Sequence, residues 1–228
     1  MPIVSTHQLT RHYQQGGLTV RALDGVDLTI EAGEFVALMG ASGSGKTTLL
    51  NLIGGLDRPS SGTVEVDGRM LNQLSSGELS QLRLDRIGFV FQAYNLLPVL
   101  TAQENAEFVL LMQGVEPGER SRRIQETLRN LGLEGLGGRL PSELSGGQQQ
   151  RVAVARAIAG RPALVLADEP TANLDSHTGA ALVDSMRALN DDEGITFVFA
   201  THDAKVEERA KRVIWMEDGR ILRDERRG

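Results

Sequence analysis

Residues 40 to 48 read Gly-Ala-Ser-Gly-Ser-Gly-Lys-Thr-Thr, between the apolar run Phe35-Val36-Ala37-Leu38-Met39 and the apolar positions Leu49, Leu50, Leu52 and Ile53. Gly40, Gly43 and Gly45 let the backbone curl, so that successive N–H groups through Ala41, Ser42 and Ser44 form a nest for phosphate oxygens. A helix opening near Lys46 adds its positive dipole end. Lys46 supplies a point charge for β- and γ-phosphates, and the Thr47 hydroxyl, followed by Thr48, is placed to ligate Mg²⁺. The offset from Gly40 to Gly45-Lys46-Thr47 is that of a phosphate-binding loop. The plainer reading, a glycine-rich turn ahead of a helix, accounts for neither the Lys-Thr pair nor the strand in front of it.

Three further apolar strands end in residues capable of chemistry. Ile87 to Phe91 runs into Gln92, Ala163 to Ala167 into Asp168-Glu169, and Thr196 to Ala200 into Thr201-His202. Ligands of an open parallel sheet sit beyond the carboxyl ends of its strands, so residues placed there share one crevice. Singly, each has an ordinary account: Gln92 as a surface amide, His202 as a capping or packed histidine, Asp168 and Glu169 as a solvated turn. Together, in a chain with a phosphate loop, they make a site. Leu144-Ser145-Gly146-Gly147-Gln148 opens a helical stretch, and two glycines at a helix start make a second place with exposed N–H donors. Tyr13, in Arg11-His12-Tyr13-Gln14-Gln15, either stacks on an adenine or is an ordinary strand aromatic; spacing does not separate the two.

The elements that must hold these residues are legible in outline. Residues 3 to 30 read as strands, with Asp24-Gly25 a turn ahead of the alternating Val26, Leu28 and Ile30. Thr63 to Val66 is a short strand followed by Asp67-Gly68. Ser75 with Glu78 and Thr101 with Glu104 have the form of capping boxes at two helix starts. Arg120 to Leu131 and Ser176 to Asn190 are helical, and Asp218-Gly219 marks a hairpin. The pattern predicts an α/β fold in one domain, with a mainly parallel sheet, a small antiparallel part and an inserted α-helical subdomain. Residues 1–92 and 160–228 are the expected nucleotide-binding core and about 93–159 the subdomain.

At 228 residues with net charge −6, the chain can bury a large core and is a poor binder of nucleic acid through its overall field. The absence of cysteine excludes disulfides, thiolate metal sites and a cysteine nucleophile, and fits a reducing compartment. Met1 to His7 has neither the basic nor the apolar region of a signal peptide. No apolar run approaches the roughly 18 residues of a membrane span, so any work at a membrane is expected to pass through another chain.

The phosphate loop, Gln92, Leu144 to Gln148, the run Leu164 to Glu169, Asn173-Leu174-Asp175 and His202 stand in the order found in the ATP-binding cassette (ABC) ATPases, which this chain resembles over nearly its whole length. The resemblance implies ATP and Mg²⁺ as ligands. It makes Asp168 the carboxylate that holds Mg²⁺ through water, Glu169 the general base, and His202 the histidine that contacts the γ-phosphate. Gln92 would touch metal and attacking water, Asp175 would signal across a dimer interface, and Tyr13 would stack on adenine. Ser145, Gly146, Gly147 and Gln148 would complete the site of the opposite subunit, giving a head-to-tail homodimer around two ATP molecules. Phosphoryl transfer needs positioning and charge neutralisation, and a helix N-terminus arriving in trans supplies donors only when the dimer closes.

Residues 54 to 62 and 91 to 105 resemble the subgroup with the lipoprotein-releasing and macrolide-exporter ATPases, which pair with membrane permeases. The implied protein is a cytoplasmic cassette, peripheral on the inner membrane beneath a separate permease, driving export or work on the far side. Ala41 stands where proline is usual, Thr47 where serine is commoner and Ala172 where glycine is usual; none removes a group the chemistry requires. The rivals are a regulator that switches a membrane partner without transport and a soluble ABC ATPase, the latter lacking its usual coiled-coil insertion or second cassette here. Leu96-Leu97-Pro98-Val99-Leu100 is expected to receive a short helix from the permease, with core packing the alternative for Val99 and Leu100.

Overall fold

The computed structural model describes residues 1–227. β1 (Pro2–Gln15) and β2 (Leu18–Glu31) form a long antiparallel hairpin. The turn expected at Asp24-Gly25 is instead a bulge inside β2: Leu9 pairs with Val26 but Arg11 with Leu23, leaving one extra residue on β2, with Gly25 at φ 74°. A left-handed glycine serves a bulge as readily as a turn, and only the partner strand decides which. β3 (Phe35–Met39) leads into α1 (Lys46–Ile53). β4 (Ser61–Val66) and β5 (Arg69–Met70) follow, then α2 (Ser76–Arg86) and β6 (Ile87–Val90). Three helices come next, α3 (Ala102–Met112), α4 (Pro117–Asn130) and α5 (Gly146–Ile158). The chain closes with β7 (Leu164–Asp168), α6 (Ser176–Glu193), β8 (Thr196–Thr201), α7 (Ala204–Arg209), β9 (Arg212–Glu217) and β10 (Arg220–Arg226).

The strands make two sheets. An antiparallel one has the order β2-β1-β4-β5, and a six-stranded one has the order β10-β9-β3-β8-β7-β6. Five strands of the larger sheet run parallel and β10 closes its edge antiparallel. Parallel strands covered on both faces read as continuous apolar runs, which is why β3, β7 and β8 stood out. One face, with Ala37, Val165, Phe197 and Phe199, packs under α3 to α7. The other, with Val36, Leu38, Leu166 and Val198, packs against α1, α2 and the small sheet. The helical block shares the first core: Leu110, Ile124 and Val152 belong to the same buried cluster as the sheet.

Both expected capping boxes are present, at Ser75–Glu78 and Thr101–Glu104. The two sheets are tied by Arg212. The residue is only 6 % exposed, and its guanidinium donates to the Thr29 carbonyl of β2, to Glu34 and to Asp224 of β10. No helix among the described residues is long and apolar enough to cross a membrane.

Candidate active site

β3 is buried throughout and delivers the glycine loop at its carboxyl end. The loop fits only glycine at its tightest points. A Cβ on Gly40 would lie 2.3 Å from the Met216 carbonyl oxygen, and one on Gly45, at φ 103°, would lie 2.5 Å from the Ala22 carbonyl oxygen. Lys46 opens α1 with its side chain turned back over the loop. Its Nζ donates to the carbonyls of Gly40 and Ala41 at 2.7 and 2.9 Å, and reaches Ser44 Oγ at 3.5 Å. Ala41, Ser42 and Gly43 remain exposed at the rim, and Thr48 is half-buried behind Thr47.

Thr47 Oγ1 donates to Asp168 Oδ1 at 3.0 Å, joining the first turn of α1 to the end of β7. Burial pushes the Asp168 carboxyl above its ordinary range; the Thr47 hydroxyl opposes this and the charge of Glu169 adds to it. Glu169 has a left-handed backbone, φ 46°, and its N–H donates to the Ala200 carbonyl at 2.8 Å. A non-glycine residue held there costs free energy and persists only where its surroundings fix it. The carboxylate is fixed as well: Oε2 accepts from Thr201 Oγ1 at 3.0 Å and Oε1 lies 2.7 Å from His202 Nδ1. Each carboxylate oxygen has room for a second donor, so Glu169 can still accept from a water.

These residues face one cleft of about 510 Å³, whose lining includes Ser42, Gly43, Gly45, Lys46, Thr47 and Thr48 together with Gln92, Asp168, Glu169 and His202. Four strand ends thus converge as the spacing implied. The cleft also takes Val20, Arg21 and Ala22 from β2, and Ala172. Sequence reasoning missed these; exposure of an apolar residue such as Val20 shows only once the hairpin is built.

Tyr13 is not part of the lining. Its hydroxyl donates to Asp57 Oδ2 at 2.8 Å, and the Arg11 guanidinium covers one ring face at 4.5 Å. Its cross-strand partner is Val20, which does line the cleft. Ser145 to Gln148 lie outside the cleft as well. Ser145 caps α5, accepting from Gln148 N at 3.3 Å while its own N–H donates to Gln148 Oε1 at 2.9 Å, a third capping box. Gly146 and Gly147 are closed in by Tyr94 and Thr178. Asp175 caps α6, accepting from the N–H groups of His177 and Thr178 at 3.0 Å each. Hydrogen bonds from Thr178, first its side chain, hold the Asp175 carboxyl below its ordinary range.

A phosphate loop, a hydroxyl–carboxylate pair beside its lysine and a second, fixed carboxylate are the parts of a nucleoside triphosphatase. The family model for ABC transporters matches residues 23–172. The chain belongs to the ABC transporter family. This ABC cassette is 46% identical over 224 residues to a macrolide export ATP-binding/permease protein, MacB, of Mannheimia succiniciproducens, covering 98% of this chain and 35% of that one. It is 45% identical over 228 residues to an ABC transporter ATP-binding protein of Methanocaldococcus jannaschii, MJ0796, covering 98% and 97%. The cassette therefore spans about a third of the length of the export protein and nearly all of the archaeal one. Among solved structures it superposes on MJ0796 as a dimer in a post-hydrolysis state bound to ADP and Pi, with TM-score 0.92, 45% identity and 99% of each chain covered. The α/β architecture expected from sequence is thus that of the ABC ATPases.

Proposed function

We propose that this chain hydrolyses ATP at two composite sites of a head-to-tail homodimer and drives a separate membrane permease. The observation that supports it most directly is the convergence of Lys46, Thr47, Asp168, Glu169, Gln92 and His202 in one cleft at the carboxyl ends of β3, β6, β7 and β8. The loop N–H groups, Lys46 and the start of α1 would hold the phosphates, with Tyr13 and Val20 on one face of the hairpin beside the base. Thr47 Oγ1 and Asp168 Oδ1, 3.0 Å apart, are hard oxygen donors of the kind Mg²⁺ takes, with Gln92 at the same cleft. Bound there, Mg²⁺ would neutralise charge on the β- and γ-oxygens. Glu169, clamped by Thr201 and His202, would accept the proton of the attacking water, and His202 would lie beside the γ-phosphate.

Ser145 to Gln148 sit outside the cleft of their own chain, in keeping with a role at the site of a partner copy, and Asp175 at the start of α6 would face the same interface. Residues 93–159 would move as the helical subdomain that carries Ser145 to its partner. The permease would seat a helix in a groove of about 450 Å³ lined by Leu56, Phe89, Phe91 and Val109. Leu97 and Val99 follow Asn95 of that groove by two and four residues and are 41% and 81% exposed, so the Val99 side chain is at the surface. This would place the cassette against a membrane through its partner, as an export or far-side-acting ATPase.

The decisive experiment is Glu169→Gln. ATP binding should stay near wild type while turnover falls about 10²- to 10⁴-fold, the usual contribution of a general base. The variant should elute as a dimer in ATP and as a monomer without it. Wild-type turnover would remove Glu169 from the role, and a monomer in ATP would remove the composite site.

A further inference from the structure

The segment that carries Gln92 is held by more than its own turn, in which the Tyr94 N–H donates to Phe91 O at 3.3 Å. Past β6 it runs through two consecutive left-handed residues, Tyr94 at φ 54° and Asn95 at φ 51°. Neither is glycine, and a tyrosine in this region is steeply disfavoured, so something outside the segment must fix it. Four of its carbonyls are taken by side chains from elsewhere. Gln150, fully buried on α5, donates to Phe91 O at 3.4 Å. Asn173 Nδ2 donates to Gln92 O at 2.9 Å. Arg156, at the far end of α5, donates through its two terminal nitrogens to Tyr94 O at 3.0 Å and Asn95 O at 2.6 Å.

Arg156 is half-buried, and among the described residues no carboxylate pairs with it; those two carbonyls are what its charge meets. A planar guanidinium with two parallel donors fixes both partners in direction as well as distance, which a single ammonium cannot do. Asn173 is exposed and touches Gln92's own peptide, and it follows Glu169, at the end of β7, by four residues. The left-handed pair is thus gripped from α5, and the peptide of Gln92 from the segment that follows the catalytic carboxylates.

We infer that Arg156 and Asn173 are positioning residues for hydrolysis, acting through Gln92 by locking the backbone of residues 91 to 95. The inference rests on Gln92 being part of the hydrolytic site, as proposed above. It has a second consequence: α5, which Ser145 caps, and the segment of Gln92 form one mechanical unit. A displacement of Ser145 on dimer closure then reaches Gln92 through a rigid helix, not through a flexible loop.

The test is a double-mutant cycle on the purified chain with ATP and Mg²⁺, reading kcat, KM for ATP and melting temperature. Asn173→Ala and Arg156→Lys are the partners of Gln92→Ala. Asn173 is exposed, so its variant should fold normally, and Arg156→Lys keeps the charge and one of the two bonds. Each single change should lower kcat about ten-fold with KM within about two-fold, because the phosphate loop is untouched; in the Gln92→Ala background each should cost less than about two-fold. Arg156→Ala should cost more kcat than Arg156→Lys. Costs that multiply fully in the double variants, with Gln92→Ala itself impaired, overturn the inference and leave the role of Gln92 standing. Wild-type turnover in Gln92→Ala removes that role and the inference together.

Discussion

Lys46 and Thr47 differ in what their loss should cost, although they are neighbours in the first turn of α1. Lys46 answers phosphate charge in the ground state and the transition state alike, so Lys46→Ala should raise the Kd for ATP as well as abolish turnover, measured by titration with a fluorescent ATP analogue. Thr47→Val removes only the hydroxyl that meets Asp168 at 3.0 Å. It should therefore weaken ATP binding in Mg²⁺ and leave binding in EDTA nearly unchanged; equal loss in both would mean that Thr47 serves the fold and not the metal. The residues that did not fall out of the sequence are those defined by register. That Tyr13 stands opposite Val20 follows from the two-residue turn at Gly16-Gly17, whereas which of the pair lines the cleft depends on how the bulged strands carry the hairpin past the phosphate loop, which local spacing does not encode.

Elements were legible where their cause is local and obscure where it is not. The boxes at Ser75 and Thr101 follow from side chains three residues apart, and the buried parallel strands follow from two covered faces. The third box, Ser145 with Gln148, has the same local form, but the two glycines between its partners mask it as a donor site. The grip of Arg156 on Tyr94 and Asn95 joins residues about sixty apart and leaves no local trace. At this scale α4 offers a pH test. Glu119 in its first turn is held by Arg122 and then Arg123, and its carboxyl is pushed down to about 2. A folded value below the unfolded one means the stabilisation is complete above the ordinary carboxylate range near pH 4.5 and is lost as pH falls toward 2. Glu119→Gln should lower the melting temperature at pH 7 and not at pH 2; a loss that is the same at both would show that packing, not charge, is at work.

The whole molecule is tested by putting two defective copies together. Ser145→Arg should leave ATP binding by the single chain intact and abolish hydrolysis, since Ser145 lies away from its own cleft. Mixed with Lys46→Ala it should regain part of the turnover, because one of the two sites in the mixed dimer then has a sound loop facing a sound Ser145. Mixtures that stay dead, with dimers shown to form, would place Ser145 in its own chain's site. Leu97→Glu addresses the other surface. It should keep basal ATPase activity within a few-fold and lose the permease in a pull-down, while a large fall in melting temperature would show that Leu97 packs inside.

β3 lies between β8 and β9, pairing Phe35 with Phe197 and Val36 with both Val198 and Arg212. The strand that delivers the phosphate loop is made early and both its neighbours late. At ribosomal rates of 5–20 residues per second, the roughly 160 residues that separate them take about 8 to 30 seconds to appear. Throughout that interval Phe35 to Met39, apolar on both faces, has no edge to join. The nascent chain thus carries its phosphate-loop sequence long before the sheet that positions it exists, and for that time the apolar faces of the strand have no partner in the large sheet.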